Sequence, residues 1–178
     1  LPIFYTKGEL ELLVQRRTGR VPLTEVAIDA AIADRPYQHR AIRKIAESFE
    51  RDHERKALLV MATGSGKTRT VIALSDLLIR ANRAKRILFL ADRTALVNQA
   101  VNAFKKHLPD SAPVNLVTDK VTEGRVFVST YPTMMGLIDE SPDLAPGDRV
   151  SVFSYGSGSC AEFYATRVGE RAREVVAA

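Results

Sequence analysis

The chain has 178 residues, 46% of them hydrophobic and 26% charged, so it can hold one domain with a real core and is not disordered in composition. Its formal net charge is +5, which favours polyanions as partners. A single cysteine excludes an internal disulfide and fits a reducing compartment. No apolar run reaches the roughly 18 residues of a membrane span and no signal peptide opens the chain, so no membrane partner and a cytoplasmic location are expected. The first residue is Leu1 rather than Met, which reads as a fragment or processed piece.

In chain order, residues 7–17 read as a short helix and 24–33 as a second helix candidate. Asp34-Arg35-Pro36 is a break, because the residue before proline avoids the helical region. Residues 37–50 return to helix, with Ile42, Ile45 and Phe49 at helical spacing. The continuous apolar run 57–61 reads as a buried parallel strand, followed by a helix over 66–80. Residues 86–91 form a second buried strand and 93–107 a helix. A weaker strand at 114–117 precedes a stronger one at 125–130, then a short helix from Pro132. Residues 141–147 are a turn-rich break, followed by a strand at 149–153, a polar glycine turn at 154–159 and a helix candidate at 160–176.

Strands alternating with helices predict an α/β fold. It is a partial P-loop (RecA-like) parallel-sheet lobe with helices on both faces, plus a C-terminal strand–turn–helix tail. Three units are expected: a helical connector over 1–34, a partial nucleotide-binding lobe over 35–140, and a separate segment over 141–178. The charge changes at the last boundary. Residues 141–178 hold four basic and five acidic side chains, a net −1, which leaves +6 on residues 1–140. A polyanion site is therefore expected in the first part.

The stretch Thr63-Gly64-Ser65-Gly66-Lys67-Thr68 follows a predicted strand and opens a helix. Glycines there let backbone amides point inward at an oxyanion. Lys67 is placed to reach the β and γ phosphates, and the Thr68 hydroxyl to ligate Mg²⁺. These two are the candidate catalytic residues for a nucleotide with Mg²⁺, a pattern that by itself leaves kinases, GTPases, transporters and motors open. Met61 stands where the full pattern has its first glycine, so the turn is a variant form. Arg35 and Gln38 lie in the break upstream, and a glutamine amide can both donate to and accept from an adenine edge. Arg93 at a helix start, and Ser129 and Thr130 at a strand end, suit contacts to a nucleic-acid backbone.

In this order, the stretches RPYQHRAIRKI, KALLVMATGSGKTRTVIALSDLL, KRILFLADRTALVNQAV and VFVSTYPTMM resemble the first motor lobe of superfamily 2 helicases. The last three look most like the restriction (R) subunit of type I restriction–modification enzymes. The likeness covers about residues 1–140. It implies an ATP-driven translocase on double-stranded DNA, joined to a nuclease domain and working with modification and specificity subunits. In that likeness Gln38 reads adenine, and Gly64 to Thr68 hold the triphosphate and Mg²⁺. Arg93, Gln99 and Thr130 lie in the DNA-contacting motifs.

Phosphoryl transfer also needs an acid pair at the end of a buried strand to hold Mg²⁺ and orient water. Asp139 and Glu140 are the available pair, but residues 132–138 read as helix, so they are not expected at a strand end. The stretch PGDRVSVFSYGSGSCAEFY resembles 3-hydroxy-3-methylglutaryl-CoA synthases over about residues 144–168. That likeness implies a junction near Glu140 between unrelated pieces, and an ATP-binding portion that is incomplete and inactive alone.

Overall fold

The computed structural model describes residues 19–119, 123–140, 149–155 and 160–167. The first helix α1 spans Pro36–Arg51. Its entry follows from local chemistry. Arg35 is held extended (φ −99°, ψ 136°) by the proline after it, and Pro36 costs the first turn no hydrogen bond. Strand β1 (Lys56–Val60) follows, then α2 (Lys67–Arg80), β2 (Ile87–Ala91) and α3 (Thr94–His107). A 3₁₀ turn at Pro109–Ser111 leads to β3 (Val114–Asn115), β4 (Val126–Thr130) and α4 (Tyr131–Glu140). Strands β5 (Arg149–Tyr155) and β6 (Cys160–Arg167) complete the described elements.

These strands form one sheet in the order β1-β6-β5-β2-β4-β3. Strands β3, β4, β2 and β5 run parallel, with Leu88 opposite both Phe127 and Val152. Their side chains alternate between two faces. Ile87, Phe89, Ala91, Val126 and Val128 pack with α1, α2 and α3 in the main core. Leu88 and Leu90 point the other way, toward Leu116, Phe127 and Met134 of α4. Helices therefore cover both faces, and the α/β class and the partial RecA-like lobe hold.

Three expectations change. Residues 24–33 are turns, not a helix. Arginine side chains take up this segment's carbonyls: Arg43 reaches Leu23 and Thr24, Arg80 reaches Ala27, and Arg69 reaches Ala31 and Ile32. The Asp29 carboxylate accepts from the Ala31 N–H at 2.8 Å, and the Asp29 carbonyl accepts from the Ile32 and Ala33 N–H groups, a single turn that is not continued as a helix. Apolar spacing here serves the core directly, through Leu23, Val26 and Ile32.

Strand β1 is not a buried parallel strand. It is the sheet edge and pairs antiparallel with β6, so Leu58 and Val60 are 64% and 63% exposed. Finally, Cys160–Arg167 is a strand where helix was expected, so the tail is an antiparallel β5–β6 pair. Both edges of β6 are hydrogen-bonded, to β1 and β5, and Phe163, Tyr164 and Thr166 are good strand formers. The helix expected at 7–17, the turn-rich break at 141–147, the glycine turn over 156–159 and the helix expected beyond Arg167 lie outside the described residues.

Candidate nucleotide site

The phosphate turn sits between the C-terminal end of β1 and the start of α2. Gly64 (φ 77°) and Gly66 (φ 83°) both adopt left-handed backbone, which other residues reach only with strain. A Cβ on Gly66 would lie 2.5 Å from the Gln38 amide nitrogen, so this position also needs glycine for space. Gly64 has nothing within 4 Å of a Cβ position, so its cradle side is open.

Lys67 is 5% exposed and folds back into the turn, its ammonium donating to the carbonyls of Met61 (3.0 Å) and Ala62 (3.2 Å). Neither partner is charged, and no described carboxylate pairs with it. A buried cation held by neutral carbonyls alone is suited to an anionic ligand. The turn is closed further by Ser65, whose hydroxyl donates to the Ala62 carbonyl at 2.6 Å. Thr68 is half-buried in the first turn of α2, and Thr63 is exposed at the mouth. The donor set and the open cradle fit the triphosphate end of a nucleotide, with the Thr68 hydroxyl as the chain's own oxygen for a cation beside it. Among the described residues no group of three His, Cys, Asp or Glu could hold a metal without such phosphate oxygens.

Behind the turn stands the start of α1. Gln38 is 1% exposed. Its amide oxygen accepts from the Arg35 N–H at 3.3 Å, and its amide nitrogen donates to the carbonyls of Ser65 and Gly66, each at 3.3 Å. Its amide thus faces the phosphate turn. Tyr37, which sequence reasoning left without a role, donates its hydroxyl to the Ser65 carbonyl at 2.8 Å and accepts from Arg35 at 2.7 Å. That hydrogen bond holds the Arg35 guanidinium above its ordinary pKa. Arg35, Tyr37 and Gln38 therefore form one relay onto the tip of the turn. The Arg-Pro-Tyr-Gln run was the only signal for it, since the contact spans 28 residues of chain.

The four residues expected on nucleic acid do not share one surface. Arg93 and Gln99 are exposed on α3 or at its start, and Arg93 lies in extended backbone with no side-chain cap on the helix. The first N–H groups of α3 thus have no capping side chain. Ser129 is completely buried, and among the described residues its hydroxyl has no hydrogen-bond partner. Thr130 is 8% exposed, pairs with the Thr133 hydroxyl at 2.9 Å and accepts the Thr133 N–H at 3.4 Å. Ser129 and Thr130 thus belong to the strand–helix junction, on opposite faces of β4, both of which are covered. Asp139 and Glu140 fall in the last turn of α4, away from any strand end, as their sequence position predicted.

Comparison with known proteins places this geometry. The family model described as "Type III restriction enzyme, res subunit" matches residues 31–153, more than half of the chain. The match passes Glu140 and enters the stretch that resembles acyl-CoA synthases. The chain is 38% identical over 109 residues to the type I restriction enzyme EcoKI endonuclease subunit of Escherichia coli strain K12, covering 61% of this chain and 8% of that protein. It is 40% identical over 103 residues to the type I restriction enzyme EcoAI endonuclease subunit of Escherichia coli, covering 58% of this chain and 12% of that protein. The chain thus spans about a tenth of the length of these relatives. With its phosphate turn, its α1 relay and its parallel sheet, the chain belongs to the restriction-enzyme res-subunit family and corresponds to the helicase-like region of the type I restriction endonuclease subunits.

Proposed function

We propose that this chain is the ATP-binding portion of a DNA translocase of a restriction system. The observation that carries the reading is the buried Lys67 ammonium, held among the described residues by the carbonyls of Met61 and Ala62 inside a turn built on two left-handed glycines. On binding, the β and γ phosphate oxygens replace those carbonyls as partners of Lys67, a charge-assisted exchange. The N–H groups at the start of α2 face the same oxygens. A bound Mg²⁺ supplies charge neutralisation at the phosphates, and Thr68 offers its hydroxyl to that ion. The Arg35–Tyr37–Gln38 relay holds the tip of the turn and lies at the base end of the nucleotide. Double-stranded DNA is the proposed polyanion, met at Arg93, Gln99 and the open N-terminus of α3, with Thr130 shaping the neighbouring junction. Modification and specificity subunits are the proposed protein partners, by likeness to the type I enzymes, and the cytoplasm is the proposed location.

The test is calorimetric titration of ATP–Mg²⁺ into the chain and its Lys67→Ala variant. Removing a charge-assisted contact costs about 1.5–3 kcal/mol, roughly a tenfold to hundredfold loss of affinity. Equal affinity in the two proteins would refute the reading.

A further inference from the structure

The sheet has a second charged end. The phosphate turn, Arg93 and the β4–α4 junction all lie at the C-terminal ends of their strands. At the opposite end, each of four adjacent strands has a basic residue at or just beyond its terminus. Strand β1 begins at Lys56, which the register sets level with Tyr164 and Val152, three residues inside that end. Next to it, β6 ends at Arg167, which pairs in register with Arg149 at the start of β5. Arg86 and Lys85 precede β2, and extending the β2–β5 register sets Lys85 level with Arg149. Arg125 precedes β4, and the β2–β4 register sets it level with Arg86. The Ile87 N–H donates to the Arg125 carbonyl at 2.8 Å, which fixes that last step.

The row therefore reads Arg167, Arg149, Lys85 with Arg86, and Arg125 across four neighbouring strands, with Lys56 set back from it on β1. At a strand spacing of about 4.8 Å it is about 14 Å long. Lys56, Lys85, Arg86 and Arg125 are exposed, and none forms an ion pair with a described acid. The Arg86 guanidinium lies 5.9 Å from the Phe127 ring centroid, which restrains it at the edge. Arg51 and Arg55 add exposed charge beside Lys56, offset by Asp52 and Glu54 in the same loop. Glu123 is the exposed acid beside Arg125.

We infer that this N-terminal edge of the sheet is a second polyanion surface, which runs along the phosphate backbone of a DNA duplex remote from the nucleotide site. A single file of cations matches a linear charge. Over about 14 Å of axis a duplex presents roughly eight phosphates. An anionic membrane calls instead for a broad face with apolar side chains among the cations, whereas the exposed residues at this edge are charged. Binding here is independent of base sequence, because the row offers charges and no pocket for a base edge.

The test is fluorescence titration of a labelled DNA duplex over a series of salt concentrations. Neutralising Lys85, Arg86 and Arg125 together (Lys85→Gln, Arg86→Gln, Arg125→Gln) should make the slope of log affinity against log salt shallower by about three, one per cation removed. The charge-keeping pair Arg86→Lys with Arg125→Lys should retain the wild-type slope. ATP affinity should be unchanged in both, so failure of the nucleotide reading and failure of this one are separable. Circular dichroism checks the fold, and if the triple variant unfolds, Lys85→Gln alone should still remove about one unit of slope. An unchanged slope in the neutralised protein overturns the inference. So does equal duplex binding accompanied by lost binding to phosphatidylserine vesicles, which would make the surface a lipid one.

Discussion

Gly64 and Gly66 are two residues apart, share a backbone conformation and differ in what surrounds them. Both have positive φ, so an alanine at either position strains the backbone by about 1–2 kcal/mol. Only at Gly66 does the new methyl also meet Gln38, at 2.5 Å from its amide nitrogen. Gly66→Ala should therefore destabilise more than Gly64→Ala in urea unfolding, and it should break the Gln38 contacts to the turn. Equal losses would mean that Gln38 moves aside freely. The same residue scale explains the closed form of the site. Lys67, Ser65 and Gln38 all spend their donors on carbonyls of residues 61–66, so the turn carries its own temporary ligands. An anion displaces these without having to desolvate a lysine that is already buried.

At the scale of elements, α3 packs across β2, β4 and β3 of the parallel sheet. Phe104 is fully buried on its inner face and meets Phe89 of β2 edge-to-face, with ring centroids 5.8 Å apart at 80°. Both residues lie in the main core with Val97, Ala100 and Val101. Phe104→Ala should cost about 3–5 kcal/mol, a large part of the 5–15 kcal/mol typical of a whole domain. Thermal unfolding followed by circular dichroism measures it, and a loss below about 1 kcal/mol would mean that α3 packs elsewhere. Helix α1 is tied differently. Its Glu50 carboxylate accepts from Arg83 in the α2–β2 loop and from the Leu23 N–H at 3.2 Å, so three segments meet at one side chain. Asn82 makes that loop possible, because its left-handed backbone (φ 54°) ends α2 and delivers the Arg83 N–H to the Leu78 carbonyl.

For the whole molecule, the sheet order bears on turnover. Phosphoryl transfer needs acids beside the phosphate turn to hold Mg²⁺ and orient water. Here β6 stands beside β1 and runs antiparallel to it, while Asp139 and Glu140 are in a helix. We predict that the chain by itself, with ATP, Mg²⁺ and duplex DNA, releases no more phosphate than its Lys67→Ala variant. Turnover above that control, lost in Asp139→Asn, would place α4's acids at the metal after all. Binding without turnover is compatible with the proposed role as the nucleotide-holding part of a larger motor.

What the sequence determined by itself is local and contiguous. The turn from Thr63 to Thr68 is one covalent run, and its strand, glycines and helix follow from backbone sterics that no distant residue alters. Helices α2 and α3 and strands β2 and β4 were equally legible, because their apolar patterns are long and their cores are shared. The tertiary structure decided the rest, wherever a backbone or side chain could be satisfied in more than one way. Residues 24–33 have helical spacing, yet Arg43, Arg69 and Arg80 take their carbonyls from up to 53 residues away. Cys160–Arg167 could have been a helix, but the edges of β1 and β5 supply its ladder partners. Gln38 was found as a site residue, but only the fold turned its amide onto the phosphate turn and brought Tyr37 to the Ser65 carbonyl. Ser129 and Thr130 were read as nucleic-acid contacts, and the cover on both faces of β4 buries them. Each of these outcomes depends on hydrogen bonds or burial supplied by chain far away in sequence, which periodicity over a dozen residues does not contain.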